Sequence, residues 1–316
     1  MKIHKFKKGQ KLNKGETIGV IAPSSACDKN RLTRGIAFLK AAGFKVQVAL
    51  NPSKMYGKDS HLFSSDSPKA RAKALEDLFA DDSVKVIISA RGAYGAAELL
   101  PILDFKKLGK TPKIFCGFSD ATILLSALNS AGVISVHGPM VSGAFAEDEK
   151  NKAALTSVEN LLGLLSGEII NPFESIKLCR IKSGKAAEGW LTGGNLSVFA
   201  ALLGTPWEPQ LEQAILFLEE TGEKPYRIHR HLLSLKLAGK FDNLSGVVFG
   251  GLDGCMHTTG PDVFKVIDDI FKDFKYPVFC GLPAGHEPLN LPVPFGVRAT
   301  FKDSRLVILE SALSKN

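Results

Sequence analysis

The chain has 316 residues, 45% of them hydrophobic and 23% charged, with a formal net charge of +8. That length accommodates a large core and two domains, and the balance is that of an ordinary folded protein. No apolar run reaches the ~18 residues needed to cross a bilayer, and the lysines are scattered rather than gathered in a basic stripe. Nucleic acid and membrane partners are therefore not expected, while anionic small molecules stay open.

The opening stretch, MKIHKFKKGQKLNKGE, is basic and polar and has no apolar segment behind its charges. It reads as a solvated leader rather than a secretory signal, and the cytoplasm is the expected compartment. Strand and helix patterns then alternate. TIGVIAPSS (17–25) predicts a buried strand, KNRLTRGIAFLKAAG (29–43) a helix stopped at Gly43, and KVQVAL a strand. SPKARAKALEDLFAD (67–81) predicts a helix with Ser67 as N-cap and Pro68 in its first turn. VKVIISARG (84–92) is a strand, AAELLPIL a short helix, KIFCGFS a strand and DATILLSALNSAG a helix. VISVHGP (133–139) and KAALTSVENLLGLLSG (152–167) add one more strand and helix. This rhythm predicts a mainly parallel sheet covered on both faces, whose ligands sit beyond the C-terminal strand ends.

The rhythm changes near residue 167. A Gly-rich stretch leads to a helical segment from Leu196 to Leu203 and a strand, AILFLEE (214–220). A helix (PYRIHRHLLSLKLAG), a strand (LSGVVFGGL), a helix opened by Pro261, a strand turning over within PVFCGLPAGH, and a closing hairpin, VRATFKDSRLVILE, complete the chain. The expected organisation is an N-terminal α/β domain over 1–167, a linker near 167–180, and a second, mixed α/β domain over 180–316.

Several residues at strand ends could carry chemistry. Ser119, in GFSD, lies on a strand-to-helix turn. It is either an ordinary helix N-cap or an exposed nucleophile beside unpaired N–H groups. The turn lacks the second glycine of G-x-S-x-G. Gly92 and Gly95, in ARGAYG, allow a tight turn whose amides face a ligand, although neither a P-loop nor a dinucleotide fingerprint is present. Glu219 and Glu220 end an apolar strand, and His286 follows a glycine after another; His137, in VHGP, has a comparable setting. His229 and His231 are two apart on a helix and face different ways, which disfavours a shared metal. The five cysteines, 27, 116, 179, 255 and 280, show no C-x-x-C spacing. They read as reduced, mostly buried thiols, without a disulfide framework or zinc knuckle. A serine, a carboxylate and a histidine at strand ends are the set that acyl transfer needs.

The order and wording of seven stretches resemble the serine LD-carboxypeptidase family, which includes muramoyltetrapeptide carboxypeptidases and microcin-immunity peptidases. They are IGVIAPSS, ISARGAYG, CGFSDATILLSAL, VHGPM, LTGGNLSVFAALLGTPWEP, ILFLEETGEKPYRIHRHLLSL and GLPAGHEPLNLPVPFG. The resemblance implies a flavodoxin-like N-terminal domain and a C-terminal domain that delivers the acid and base across a cleft. It also implies a homodimer, with no metal and no cofactor. It makes Ser119 the nucleophile, Glu219 the acid and His286 the base. The N–H groups near Gly92, Ala93 and Asp120 become the oxyanion donors. Arg91 becomes a candidate for the substrate carboxylate, and Trp190 and Asn195 candidates for the cleft wall. The implied reaction releases a terminal D-alanine from a cytoplasmic murein peptide during wall recycling. Hydrolysis of a peptide–nucleotide conjugate, and a non-catalytic binding protein on the same fold, are the alternatives. Ala93 replaces a family glycine, so that residue either keeps a negative φ or alters the turn. Glu220 and His229 replace acids common in the family.

Overall fold

The computed structural model describes residues 6–49, 62–256 and 260–314. Five strands of the N-terminal half form a parallel sheet: β1 (Thr17–Ile21), β2 (Lys45–Val48), β3 (Val84–Ser89), β4 (Ile114–Gly117) and β5 (Ser135–His137). Their spatial order, 2-1-3-4-5, is that of a flavodoxin-like doubly wound fold. β1, β3 and β4 read as nearly continuous apolar runs because both faces are buried. The helices are α1 (Lys29–Ala41), α2 (Pro68–Ala80), α3 (Phe105–Leu108), α4 (Thr122–Ser130) and α5 (Lys152–Ser166). Ser67 caps α2 as expected, its hydroxyl accepting from Ala70 N at 3.3 Å with Pro68 in the first turn.

The second sheet has seven strands: β6 (Cys179–Lys182), β7 (Gly189–Asn195), β8 (Ala214–Thr221), β9 (Gly246–Asp253), β10 (Val278–Cys280), β12 (Arg298–Lys302) and β13 (Arg305–Ile308). Its order is β13-β12-β7-β8-β9-β10-β6. The four central strands, β7 to β10, are parallel, and antiparallel strands close both edges. Helices α6 (Leu196–Ala200), α7 (Pro225–Leu237) and α8 (Val263–Phe271) complete this half. Asp262, not Pro261, starts α8: its carboxylate accepts from Phe264 N at 3.0 Å. Among the described residues, no helix is long and apolar enough to cross a membrane.

Two features depart from the sequence reading. The segment from Phe6 onward is docked, not a solvated leader. Leu12 is buried, its N–H donates to Leu165 O at 2.9 Å, and Lys7 and Gly9 bridge to Val133 and Leu313. Residues 1–5, which open the expected leader, lie outside the described residues. The second departure is β11 (Val293–Phe295), within NLPVPFG. It returns to the first sheet and pairs antiparallel with β5. Pro294 suits such an edge position, where a missing N–H leaves no gap in a central ladder.

β11 ties the halves together. Phe295 from this strand, Phe217 from β8 and Leu191 from β7 belong to the same buried cluster as Ile87 and Phe115 of the first sheet. Burying one such side chain contributes about 1.5–3 kcal/mol, so the contact between the sheets is a core rather than a loose hinge. A second cluster joins α7 and α8 to the outer face of the second sheet through Leu235, Ile267 and Phe271.

Candidate active site

The C-terminal ends of β4 and β8 and the loop after β10 meet, with His286 against Phe118 and its ring nitrogen on Glu219. β4 stops at Gly117, Phe118 is extended (φ −149°), and Ser119 opens a short 3₁₀ turn over Ser119–Ala121 before α4 begins. Ser119 has φ +61°, a left-handed conformation that costs a β-carbon-bearing residue about 1–2 kcal/mol. Its side chain caps neither the 3₁₀ turn nor α4. Among the described residues its hydroxyl makes no hydrogen bond. The strain is thus not offset by a capping bond.

The turn after β3 lies directly against this serine. A β-carbon at Gly92 would fall 3.0 Å from Ser119 Cβ and 3.3 Å from its Oγ, so only glycine lets the two backbones approach this closely. Ala93, in place of the family glycine, takes positive φ (+79°) rather than the negative value open to alanine. The turn is anchored around it. Ser25 N donates to Gly92 O at 3.2 Å, Arg71 Nη1 to Gly95 O at 2.8 Å, and Ala96 N to Asp120 Oδ2 at 2.8 Å. Arg71 is itself fully buried and paired with Glu98. Among the described residues, no acceptor takes the N–H of Gly92, Ala93 or Asp120. These are the groups that an oxyanion would need.

β8 supplies the carboxylates. Glu219 is fully buried, and its Oε2 lies 2.8 Å from His286 Nδ1. Its Oε1 has no partner among the described residues. Gly285 N donates to Asn290 Oδ1 at 2.9 Å, and Asn290 N donates to Ser157 Oγ on α5 at 2.9 Å, so the histidine turn is fastened to the N-terminal half. Burial opposes charge on His286, but the hydrogen bond and charge of Glu219, aided by Glu220 and Asp253, outweigh it and raise the imidazole above its ordinary value. With Nδ1 on Glu219, Nε2 is the nitrogen left to exchange a proton. The His286 ring stands edge-on to Phe118, the residue before Ser119, with centroids 4.9 Å apart. No Ser119–His286 hydrogen bond is formed in this state; such bonds commonly tighten only with substrate.

Glu220 points the other way, as alternation along a strand requires. Its carboxylate accepts from Asn195 Nδ2 (3.0 Å) and Ser197 N (2.9 Å) at the start of α6, and from Thr221 N (3.0 Å) next to it on β8.

The remaining candidates divide. Asp120 is buried beside Ser119. Arg91 is exposed, with Nη1 on Ala26 O at 3.0 Å. Asn195 is a buried cap of α6 whose side chain serves Val198, Ser197 and Glu220 rather than an open wall. Trp190 sits at the N-terminal end of β7, opposite Ala214, whereas Asn195 at the other end is opposite Glu219. At about 3.3 Å per residue the tryptophan is roughly 16 Å from the carboxylate level. It packs on Phe6 and does not line the site. His137 is buried against Phe118, Phe217 and Phe295, and burial pushes its value down to about 3, so it is a neutral core residue. His229 and His231 lie on α7, and among the described residues no group of three or more His, Cys, Asp or Glu is placed to hold a metal; His257 lies outside them.

Sequence reasoning did not single out Thr122, Ser157 or Asn290. Thr122 Oγ1 accepts from Asn195 N at 3.0 Å, joining the start of α4 to the end of β7. Nothing local marks such residues, because their partners lie 73 and 133 positions away.

Comparison with known proteins agrees with this architecture. The models for the LD-carboxypeptidase N-terminal and C-terminal domains match residues 18–138 and 188–301. The "Probable murein peptide carboxypeptidase" of Bacillus subtilis is 32% identical over 313 residues, covering 98% of this chain and 96% of its own. Among solved structures, microcin C7 self-immunity protein MccF in its wild-type apo state superposes with a TM-score of 0.85 at 27% identity, covering 98% and 100% of the two chains. Muramoyltetrapeptide carboxypeptidase from Oxalobacter formigenes gives 0.77 at 28% identity, covering 92% and 97%.

Proposed function

This chain belongs to the LD-carboxypeptidase family of serine peptidases, and we propose that it releases the terminal D-alanine from murein tetrapeptides, with Ser119, His286 and Glu219 as its catalytic triad. The observation that carries the residue assignment is the 2.8 Å Glu219–His286 pair set against Phe118, next to a serine in strained backbone.

Ser119 Oγ attacks the carbonyl carbon of the last peptide bond while His286 Nε2 takes its proton. Glu219 holds the imidazole tautomer and stabilises the imidazolium. The developing oxyanion is held by N–H groups of the Gly92–Ala93 turn and of Asp120, each worth roughly 3–4 kcal/mol in comparable sites. His286 then protonates the leaving amine of D-alanine, and water activated by the same imidazole hydrolyses the acyl-enzyme. Arg91, exposed at the rim, is the proposed partner of the terminal carboxylate. The enzyme would act as a cytoplasmic homodimer on peptides from wall turnover, a setting that rests on the family resemblance.

The test is incubation with a defined murein tetrapeptide ending in D-alanine, read by mass. Loss of one alanine supports the proposal, and an intact peptide under conditions where a control family enzyme cleaves it overturns the substrate assignment. One observation favours a second substrate: the higher structural similarity to MccF, a relative also solved in complex with aspartyl sulfamoyl adenosine. The same assay with an aminoacyl sulfamoyl nucleoside distinguishes the two.

A further inference from the structure

We propose that Cys179 and Cys280 form a reversible intramolecular disulfide, an oxidation site at the base of the turn that carries His286. β6 and β10 run antiparallel, with Cys179 the direct strand partner of Cys280. Directly opposed residues in such a pair have Cα atoms about 4.5–5.5 Å apart and side chains on one face. A disulfide spans about 4.4–6.8 Å between Cα atoms, so the bond needs no rearrangement of the strands.

The two thiols are differently placed. Both are free; Cys179 is exposed on the outermost strand of its sheet, whereas Cys280 is buried. Burial and the neighbouring Cys179 thiol push the Cys280 thiol up to about 11. Cys179 therefore meets an oxidant first, and Cys280 is the resolving thiol. The other three cysteines are all buried, and none is the strand partner of another cysteine.

The oxidant is a peroxide. Hydrogen peroxide transfers one oxygen to the Cys179 thiolate, giving a sulfenic acid and releasing water after protonation. The Cys280 sulfur attacks the Cys179 sulfur; the S–S bond forms, the S–O bond breaks, and a second water leaves with the Cys280 proton. The balance is two thiols and one peroxide to one disulfide and two waters. A small-molecule thiol reverses it by exchange. A transient bond of this kind is the form expected in a reducing compartment. Cys280 ends β10, and six residues later the chain reaches His286. The bond would tie the strand anchoring that turn to the sheet edge. It is independent of the chemistry proposed for Ser119.

The experiment is peroxide treatment of the full-length protein, digestion without reduction, and mass mapping. The expected product is a pair of peptides joined through Cys179 and Cys280, lighter by two hydrogens and separated by dithiothreitol. Cys280→Ser should leave Cys179 as a sulfenic acid that a dione probe traps, and Cys179→Ser should abolish the link. If wild-type Cys179 instead proceeds to sulfinic acid, stays reduced, or joins a second copy of the chain, with no 179–280 link, the proposal is wrong.

Discussion

A β-carbon at Gly285 would come within 2.6 Å of Glu219 Oε2, the oxygen that holds His286. The backbone of the histidine turn thus lies directly on the buried carboxylate, and its φ of +121° is open only to glycine. Gly285→Ala should push Glu219 off His286 and strain the turn. Destabilisation of about 2 kcal/mol or more is expected from strain and steric overlap, with kcat reduced at least tenfold in the folded fraction. Denaturant melts and turnover on the tetrapeptide measure the two effects; a variant of wild-type stability and rate would show that the close approach is not required.

Ser119→Ala should abolish turnover. Because the serine caps no helix, the usual loss of about 1 kcal/mol for removing a cap should be absent. The variant should therefore melt within about 0.5 kcal/mol of wild type, the range of substitutions that remove no interaction. Ser119→Gly should be equally inactive yet more stable, since it relieves the positive φ. An active Ser119→Ala enzyme would refute the nucleophile assignment.

Ala93→Gly restores the family glycine at φ +79°. Relief of about 1–2 kcal/mol of backbone strain is opposed by about 0.5–1 kcal/mol of added unfolded-state entropy. A net gain of up to about 1.5 kcal/mol is expected from that difference, with kcat unchanged or higher. Clear destabilisation would mean that the Ala93 methyl packs favourably enough to outweigh its conformation.

Much of this was legible in the sequence because it is local. The parallel sheet follows from βα alternation, whereas its flavodoxin-like order was implied only by the family resemblance, and Ser119, Glu219 and His286 lie at or beyond the ends of strands whose composition announces them. The alternation of Glu219 and Glu220 follows from the period of a strand. What escaped is non-local. β11 contains Pro294 and gives no strand signal in the sequence, since only the edge of a distant sheet makes a proline strand acceptable. Phe6 and Leu12 were outweighed by surrounding lysines, although the core cares only where the apolar groups land. Trp190 and Asn195 share β7, but five residues of strand carry them toward opposite ends of it. The opposition of Cys179 and Cys280 across 100 residues is likewise a matter of register alone.

The acid limb of the pH–rate profile distinguishes the two glutamates. His286 must be neutral to accept the Ser119 proton, so kcat/KM should be low in acid and rise through its ionisation. Burial alone would lower that ionisation, but Glu219 and, behind it, Glu220 and Asp253 raise it above the ordinary value. The limb should therefore centre above ~6.5, and activity should hold as pH rises moderately. Glu219→Gln removes the principal charge and favours the wrong tautomer. It should cost roughly 10³–10⁴-fold in kcat and move the surviving limb to lower pH. Glu220→Gln acts elsewhere. Its carboxylate accepts two donors at the start of α6 and a third, Thr221 N, on β8, and the amide that replaces one oxygen must turn an N–H toward them. Stability should fall by about 1–3 kcal/mol, while kcat stays near normal and the limb shifts down only slightly. Profiles of the three proteins on one substrate, with melts alongside, decide the matter. A crippled Glu220→Gln beside a near-normal Glu219→Gln would reverse the two roles, and a Glu219→Gln limb shifted upward would show that the carboxylate does not stabilise the imidazolium.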